Sequence, residues 1–238
     1  MLVSLIIIFA AAFIAIFLPE SLKRFKGYIL AVIPAWFFID FFRKIKNLSD
    51  NGPLTEIYEW IPEAGINFYL YLDGLSLLFS LLILGIGVFV IIFSNDYMKS
   101  YSDTNKFYFF IFFFMGSMLG LVLSANLITL FLFWELTSVS SFFLIGFFHK
   151  KEESRNAAIQ ALLITGAGGL ALLTGIILLG QVAGSYNLNI ILANKDVILA
   201  SPHYITILLL FMAGIITNSA QFPFHFWLPG AMQAPSPV

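Results

Sequence analysis

The chain has 238 residues, of which 60% are hydrophobic and only 11% are charged, and it contains 28 Phe. Soluble domains have about 45–50% apolar and about 25% charged residues. No water-soluble fold of this length can hide so much apolar surface. Twelve Lys and Arg against thirteen Asp and Glu give a formal net charge of -1, which excludes a basic nucleic-acid-binding surface. The composition therefore predicts an all-α, polytopic membrane protein that lies in a lipid bilayer and has no nucleic-acid partner.

The residue types also exclude most cofactor and metal sites. The chain has no Cys, so it cannot form a disulfide, a zinc–thiolate site, an iron–sulfur cluster or a Cys nucleophile. His149, His203 and His225 lie too far apart in sequence to indicate a metal site. The glycine-rich stretch 166–169 lacks the Lys, the Ser or Thr and the preceding strand of a phosphate-binding loop. We therefore expect no cofactor, no metal and no redox chemistry in this chain.

The number of apolar segments predicts about seven transmembrane helices. A spanning helix needs roughly 20 mostly apolar residues. The second candidate is short and contains Pro34 and Asp40. The first has no positive residue before it and no clear cleavage site after it, so we expect a retained helix and not a signal peptide. The seven candidates are residues 2–18, 28–42, 70–93, 107–124, 127–148, 158–183 and 203–222.

The positions of Lys and Arg predict an orientation for these seven helices. The loops after the first, third and fifth segments carry eight of the twelve Lys and Arg, and the opposite side carries four. Cytoplasmic loops carry the excess, so we expect the N-terminus outside. Residues 43–69 then form a long extracellular loop, in which the alternating polarity of Glu56–Ile61 predicts a short hairpin strand. Residues 184–202 form a second polar, turn-rich loop.

Two of the predicted helices carry small residues at a spacing typical of helix contacts in a bilayer. Gly116 and Gly120 form a GxxxG pair on the fourth helix. The sixth helix contains Gly166, Gly168, Gly169 and Gly175. Small residues let backbones approach closely in lipid. We therefore expect both helices to pack against neighbours through these glycines.

Glu135 lies inside the apolar fifth segment, about 12 Å from Leu127 at about 1.5 Å per residue. An ionised carboxylate at that depth costs a few kcal/mol, so we expect the side chain to face the bundle interior. Ser138 lies one turn away on the same face and could bond the carboxyl group or a water. Glu135 is either a structural residue bonded to a neighbouring helix or a proton-relay group. Intramembrane ionisable residues are functional by default, which favours the relay.

The end of the chain combines polar residues with two prolines. Pro223 and Pro229 each remove a helical hydrogen bond, so they predict a broken seventh helix. A broken helix at membrane depth is tolerated where it is buried in protein or lines a hydrated cavity. The polar residues Asn218, Ser219 and Gln221 before the break favour the cavity. The alternative is a plain helix end at the cytoplasmic surface.

Several motifs together resemble one membrane-protein family. The chain resembles the large A subunit of Mrp-type multisubunit cation/proton antiporters, which are related to the L subunit, also called chain 5, of respiratory complex I. The resemblance covers nearly the whole chain. The motifs that carry it are Leu72–Phe79 (LDGLSLLF), Phe133–Ser138 (FWELTS), Ser219–Phe224 (SAQFPF) and Trp227–Pro229 (WLP), followed by the pairs Ala231-Met232, Ala234-Pro235 and Pro237-Val238.

The resemblance implies a fold of about fourteen helices with two inverted repeats, each containing a broken helix. It implies that Glu135 carries protons, with Ser138, Asn218, Ser219 and His225 near a hydrated path. The family has a Lys at the position of Asn218, so the expected Glu–Lys pair is missing here. The chain ends before the eighth helix, so we expect an incomplete antiporter-like inverted-repeat fold.

The resemblance also implies a division of the chain. Residues 1–69 would hold two helices and the long loop, and residues 70–124 the third and fourth helices. Residues 125–238 would begin the proton-conducting domain, which stops before the eighth helix.

We therefore expect a subunit that exchanges protons for Na⁺ or a similar cation within a hetero-oligomeric Mrp-like complex of the cell membrane. One alternative is an L-like subunit that couples the same path to quinone reduction. An alternative of another class is a non-transporting scaffold subunit or truncated copy, favoured by the absent Lys and the absent second repeat.

Overall fold

The computed structural model describes residues 1–19, 22, 25–101 and 103–238, without the side chain of Ala64. The chain forms two compact units. Unit 1 comprises residues 1–56, 71–123 and 235–238, and unit 2 comprises residues 57–70 and 124–234. The elements are α1 (Leu2–Phe17), α2 (Lys26–Asn51), β1 (Leu54–Ile61), β2 (Ile66–Leu72), α3 (Gly74–Tyr97), α4 (Thr104–Leu123), α5 (Leu127–Ile145), α6 (Glu152–Ala183), α7 (Leu188–Ala193), α8 (Lys195–Ala200), α9 (Tyr204–Asn218) and α10 (Leu228–Ala231).

A helix coincides with most of each of the seven predicted segments. Among the described residues, four helices are long and apolar enough to cross a bilayer. They are α3 and α5 with their short 3₁₀ extensions, together with α4 and α6. Helices α1 and α9 are apolar but shorter. The chain is therefore a multi-pass, mostly helical membrane protein, as the composition predicts.

The prediction that residue 43 begins an extracellular loop is wrong, because α2 continues to Asn51. Lys44 and Asp40 form an ion pair one turn apart, and the Lys44 ammonium lies 4.6 Å from the centre of the Phe41 ring. Such pairs support a helix whose sequence is no longer apolar. The helix ends where Gly52 adopts φ of 79°, a conformation that glycine reaches without a steric cost.

The predicted hairpin strand is confirmed. Strand β1 pairs with β2 in a two-stranded sheet, and the short connection makes the pairing antiparallel. Residues 70–72 were predicted to start the third helix but belong to β2. Helix α3 begins only at Gly74, because Asp73 and Ser76 form a capping box: Ser76 N donates to Asp73 Oδ1 (2.8 Å) and Asp73 N to Ser76 Oγ (2.7 Å).

Within unit 1, aromatic side chains hold α1 against α4. Phe9 packs edge-on against Phe113, and Phe13 packs edge-on against Phe109, each with ring centroids 5.5 Å apart. A Cβ on Gly116 would lie 3.1 Å from Phe9 Cζ, so the Phe9 ring packs closely over the glycine. The packing role predicted for Gly116 is confirmed.

The positive residues predicted for the loop after the first helix differ in their surroundings. Lys23 and Arg24 lie outside the described residues. Lys26 begins α2, is 1% exposed, and donates from Nζ to Asn105 Oδ1 at 2.6 Å. It is therefore part of the helix packing of unit 1 and not a loop residue.

Within unit 2, α6 packs against both α5 and α9. A Cβ on Gly175 would lie 2.9 Å from Phe211 Cδ2, and one on Gly214 would lie 2.7 Å from Leu172 Cβ, so the backbones of α6 and α9 approach closely. Gly166 has nothing within 4 Å of an added Cβ, so it does not take part in the predicted contact.

Two connections of unit 2 differ from the prediction. The segment 184–202 contains the short helices α7 and α8, because Asn187 caps α7 by accepting from Asn189 N at 3.0 Å. Helix α9 ends at Asn218, before the predicted end at residue 222. Ala220 has φ of 51°, and a 3₁₀ turn at Phe224–Trp227 leads into α10. The predicted helix break therefore lies between Asn218 and Phe224.

Candidate functional site

The side chain of Asn126 holds the N-terminal end of helix α5 in place. Asn126 caps the helix, because its Oδ1 accepts from Ile128 N (3.0 Å) and Thr129 N (3.4 Å). The Asn126 Nδ2 donates to Gly65 O at 3.1 Å, which ties the cap to the hairpin turn within unit 2. The cap fixes where α5 begins, so Glu135 lies about 12 Å along the helix at about 1.5 Å per residue.

The carboxyl group of Glu135 is pressed against the backbone of α6. A Cβ on Gly169 would overlap Glu135 Oε1 and lie 3.1 Å from Glu135 Cδ. Glu135 Oε1 is buried and has no hydrogen-bond partner among the described residues. The same holds for the indole Nε1 of the preceding Trp134. Leaving a buried polar group unpaired costs about 1–3 kcal/mol, so each such group in a native structure calls for an explanation, such as a catalytic role or a bound water or ion.

Helix α9 packs against the same part of α6 at Gly168, which immediately precedes Gly169. A Cβ on Gly168 would overlap the Thr217 hydroxyl and lie 2.7 Å from Thr217 Cβ. Thr217 Oγ1 lies 2.9 Å from both Ala213 O and Gly214 O, to which it can donate. Two adjacent glycines of α6 therefore contact two other helices, because Glu135 of α5 packs against Gly169 and Thr217 of α9 packs against Gly168. Thr217 immediately precedes Asn218, the last residue of α9.

A small cavity of about 60 Å³ lies between α5, α6 and the end of α9, and we call it the α5–α6–α9 cavity. It brings together two of the predicted pathway residues, Ser138 and Asn218, which are distant in sequence. The lining residues are Thr137, Ser138, Ser141, Phe142, Ile145, Ala161, Leu162, Thr165, Asn218 and Trp227. Half of them carry a hydroxyl or an amide, so the cavity places polar groups within an apolar bundle.

The other two predicted pathway residues lie elsewhere. Ser219 is exposed and donates from Oγ to Ile215 O at 2.6 Å. His225 is exposed and stacks on Phe222 with ring centroids 5.8 Å apart. Neither lines the α5–α6–α9 cavity. The four predicted pathway residues therefore separate into a cavity pair, Ser138 and Asn218, and a surface pair, Ser219 and His225.

Several site residues were not selected from the sequence. Ser141 lies one turn beyond Ser138 on α5, so helical spacing could have selected it. Thr165 comes from α6, and no spacing rule links it to α5. Gly169 is predicted from the sequence as a helix-contact residue, and the structure shows that the residue it contacts is Glu135. Within the described residues, no group of three or more His, Asp and Glu is placed to hold a metal ion.

The chain matches two family models. Residues 124–238 match the model described as NADH:quinone oxidoreductase/Mrp antiporter, TM. Residues 60–108 match the model described as NADH-Ubiquinone oxidoreductase (complex I), chain 5 N-terminus. The first match contains Glu135 and every residue that lines the α5–α6–α9 cavity.

Curated relatives are similar over almost the whole chain. A probable K⁺/H⁺ antiporter A/B subunit of Rhizobium meliloti (strain 1021) is 44% identical over 236 residues, which is 99% of this chain and 24% of the relative. The Na⁺/H⁺ antiporter A1 subunit of Staphylococcus haemolyticus (strain JCSC1435) is 45% identical over 228 residues, which is 94% of this chain and 28% of the relative. The chain thus spans about a quarter of the length of these relatives.

Solved structures agree with these sequence matches. A chain of the Mrp complex from Dietzia sp. DQ12-45-1b superposes with a TM-score of 0.89 at 34% identity, over 99% of this chain and 25% of that one. A chain of the membrane-bound sulfane sulfur reductase, an archaeal respiratory membrane complex, shares the fold with a TM-score of 0.82 at 19% identity, over 98% of this chain and 36% of that one. The chain is therefore similar to Mrp A subunits over nearly its whole length, and its residues 124–238 match the family model that Mrp antiporters share with NADH:quinone oxidoreductase.

Proposed function

We propose that this chain forms part of a cation/proton antiporter subunit, in which Glu135 binds and releases protons on a transmembrane path. The observation that carries the proposal is the buried, unpaired Oε1 of Glu135 against the bare backbone at Gly169. The names of the relatives support an exchange of protons for K⁺ or Na⁺. Ser138 and Asn218 would belong to the path, and Ser219 and His225 would lie at its surface end.

The chemistry follows from the surroundings of Glu135. A protonated carboxyl group is neutral and can remain in the bundle, whereas a carboxylate there needs a compensating positive charge. Glu135 is therefore suited to give up its proton when a cation arrives and to take a proton when the cation leaves. Because Glu135 would release a proton when a cation binds and take one up when the cation leaves, the proton gradient can drive the cation in the opposite direction.

The proposed setting is the cell membrane, with other members of an Mrp-like hetero-oligomeric complex as partners. The seven helices would all span the bilayer, with the N-terminus outside. The test is exchange by the complex in everted vesicles, measured as recovery of a pH-sensitive dye after Na⁺ or K⁺ is added. Vesicles lacking only this subunit should show no recovery, and full recovery there would reject the proposal.

Two other functions remain distinguishable by the same assay. An L-like subunit of a quinone-reducing complex would make proton movement depend on electron transfer, so a quinone-site inhibitor would stop it. A scaffold would be required for assembly of the complex, yet substitution of Glu135 would leave exchange intact. The neutral Asn218 beside the cavity is the feature that favours the scaffold, because it adds no charge to the path.

The proposed orientation predicts which exposed residues an impermeant reagent reaches. Asn51 and Glu153 are exposed and lie at the end of α2 and the start of α6. Because the chain has no Cys, single Asn51→Cys and Glu153→Cys variants give unambiguous labelling with a membrane-impermeant maleimide. Intact cells should label Asn51→Cys and protect Glu153→Cys until the membrane is permeabilised. The reverse pattern would place the N-terminus inside.

A further inference from the structure

We propose that the α5–α6–α9 cavity binds a monovalent inorganic cation, Na⁺ or K⁺. This inference rests on the proposed antiport and names the place where the second ion would bind. The cavity has a volume of about 60 Å³. One water molecule occupies about 30 Å³ in the liquid. A cavity of this volume therefore suits one partly dehydrated monovalent cation together with one water.

Half of the ten side chains around the cavity carry an oxygen atom, and none of the ten is a charged residue type. Thr137, Ser138, Ser141, Thr165 and Asn218 all line it, and each offers a hydroxyl or amide oxygen. Oxygen atoms are the ligands that hard cations prefer. A site with neutral ligands suits a monovalent ion, because divalent ions in proteins are usually bound through carboxylates.

The hydrogen bonds of the lining residues favour a cation over an anion. Thr137 Oγ1 donates to Trp134 O at 2.7 Å, and Thr165 Oγ1 donates to Ala161 O at 2.9 Å. With their protons directed to the backbone, these hydroxyls present lone pairs to any ligand. Trp227 Nε1 is likewise engaged, donating to Thr217 O at 3.0 Å. Hydroxyl groups whose protons are engaged in this way can offer their lone pairs to a cation.

The charges that α9 and α5 place near the cavity also favour the binding of a cation. Helix α9 ends at Asn218, and a helix C-terminus carries a partial negative charge of about half a unit. Broken helices in transporters use such ends to coordinate Na⁺. Glu135 lies one turn before Ser138 on α5, so its deprotonation adds a negative charge beside the cavity. Cation binding and protonation of Glu135 therefore compete.

The lining hydroxyls have matched controls on the same helices. Ser141→Ala and Thr165→Val each remove one lining oxygen while keeping the shape of the side chain. Ser140 is next to Ser141 on α5 and donates to Thr137 O at 2.9 Å, but it does not line the cavity. Thr174 on α6 is exposed and donates to Leu170 O at 2.9 Å. Ser140→Ala and Thr174→Val are the corresponding controls.

The experiment measures exchange by the reconstituted complex as a function of Na⁺ and of K⁺ concentration. Ser141→Ala and Thr165→Val should each raise the apparent KM for the transported cation roughly tenfold, the effect of losing about 1.4 kcal/mol of binding. The maximal rate should stay within about twofold, since Glu135 is untouched. The two controls should leave KM unchanged. An unchanged KM in both lining variants would overturn the proposal and leave the cavity to water.

A binding measurement separates this inference from the proposed function. The purified complex should gain thermal stability with NaCl or KCl relative to choline chloride, and both lining variants should need about tenfold more salt for the same gain. This readout needs no transport, so it tests the site even if the complex exchanges no ions. Equal stabilisation by choline chloride would overturn the proposal.

Discussion

The Glu135→Gln variant is expected to abolish proton–cation exchange while leaving the complex assembled. Gln has almost the same shape as a protonated Glu, so the contact with Gly169 is retained, but it cannot bind and release a proton. Loss of a positioned proton-transfer group lowers rates by on the order of 100-fold or more. The measurement is dye recovery in everted vesicles over a range of pH, together with the yield of purified complex.

A Glu→Gln change on the surface is the matched control for this variant. Glu153 is exposed at the start of α6, away from the cavity lining, and Glu153→Gln should exchange at the wild-type rate. If Glu135→Gln exchanges as fast as this control, Glu135 is not on the path. The scaffold function would then be the better explanation of the chain.

The second large effect is expected from Gly169→Ala. The added methyl group would occupy the space that Glu135 Oε1 fills, so the carboxyl group must move away from α6. A displaced relay group transfers protons over a longer distance, and we expect at least a tenfold lower exchange rate with an altered pH profile. The same substitution at Gly166, where nothing lies within 4 Å of an added Cβ, should change neither the rate nor the pH profile.

A double-mutant cycle distinguishes a local clash from general loss of packing. Glu135→Asp shortens the side chain by one methylene and makes room for the new methyl group. The combination of Gly169→Ala with Glu135→Asp should therefore be more active than the two single effects together imply, because contacting residues couple. Additive losses, or a tenfold loss in Gly166→Ala, would show that α6 glycines serve packing alone.

Part of the candidate site could be predicted from sequence because its signals are local. Glu135 was selected because one charge interrupts an apolar run, and the bilayer makes that exception costly wherever the helix packs. The helix break was selected because Pro223 lacks a backbone N–H, a property of the residue itself. Ser138 followed from helical spacing. Each of these depends only on residues close together in the chain.

The partners from other helices could not be predicted in this way. Thr165 and Gly169 join the site only because α6 lies against α5, and no periodicity within α6 indicates which neighbour each face meets. Gly166 shows the limit of the pattern, since it shares the glycine-rich stretch but has nothing within 4 Å of an added Cβ. His225 shows the converse, since its place near the break does not bring it to the cavity.

For this protein, the sequence alone determined that the chain is a multi-pass membrane protein. It also determined that Glu135 is an ionisable residue within an apolar membrane segment. Those properties follow from hydropathy and from the cost of a charge in lipid, which act on each segment separately. The tertiary structure decided that Glu135 lies against Gly169 and that Asn218 shares a cavity with Ser138 and Thr165. Such contacts depend on how side chains of separate helices fit together, because close packing and not local hydropathy determines which faces of helices meet in a bilayer.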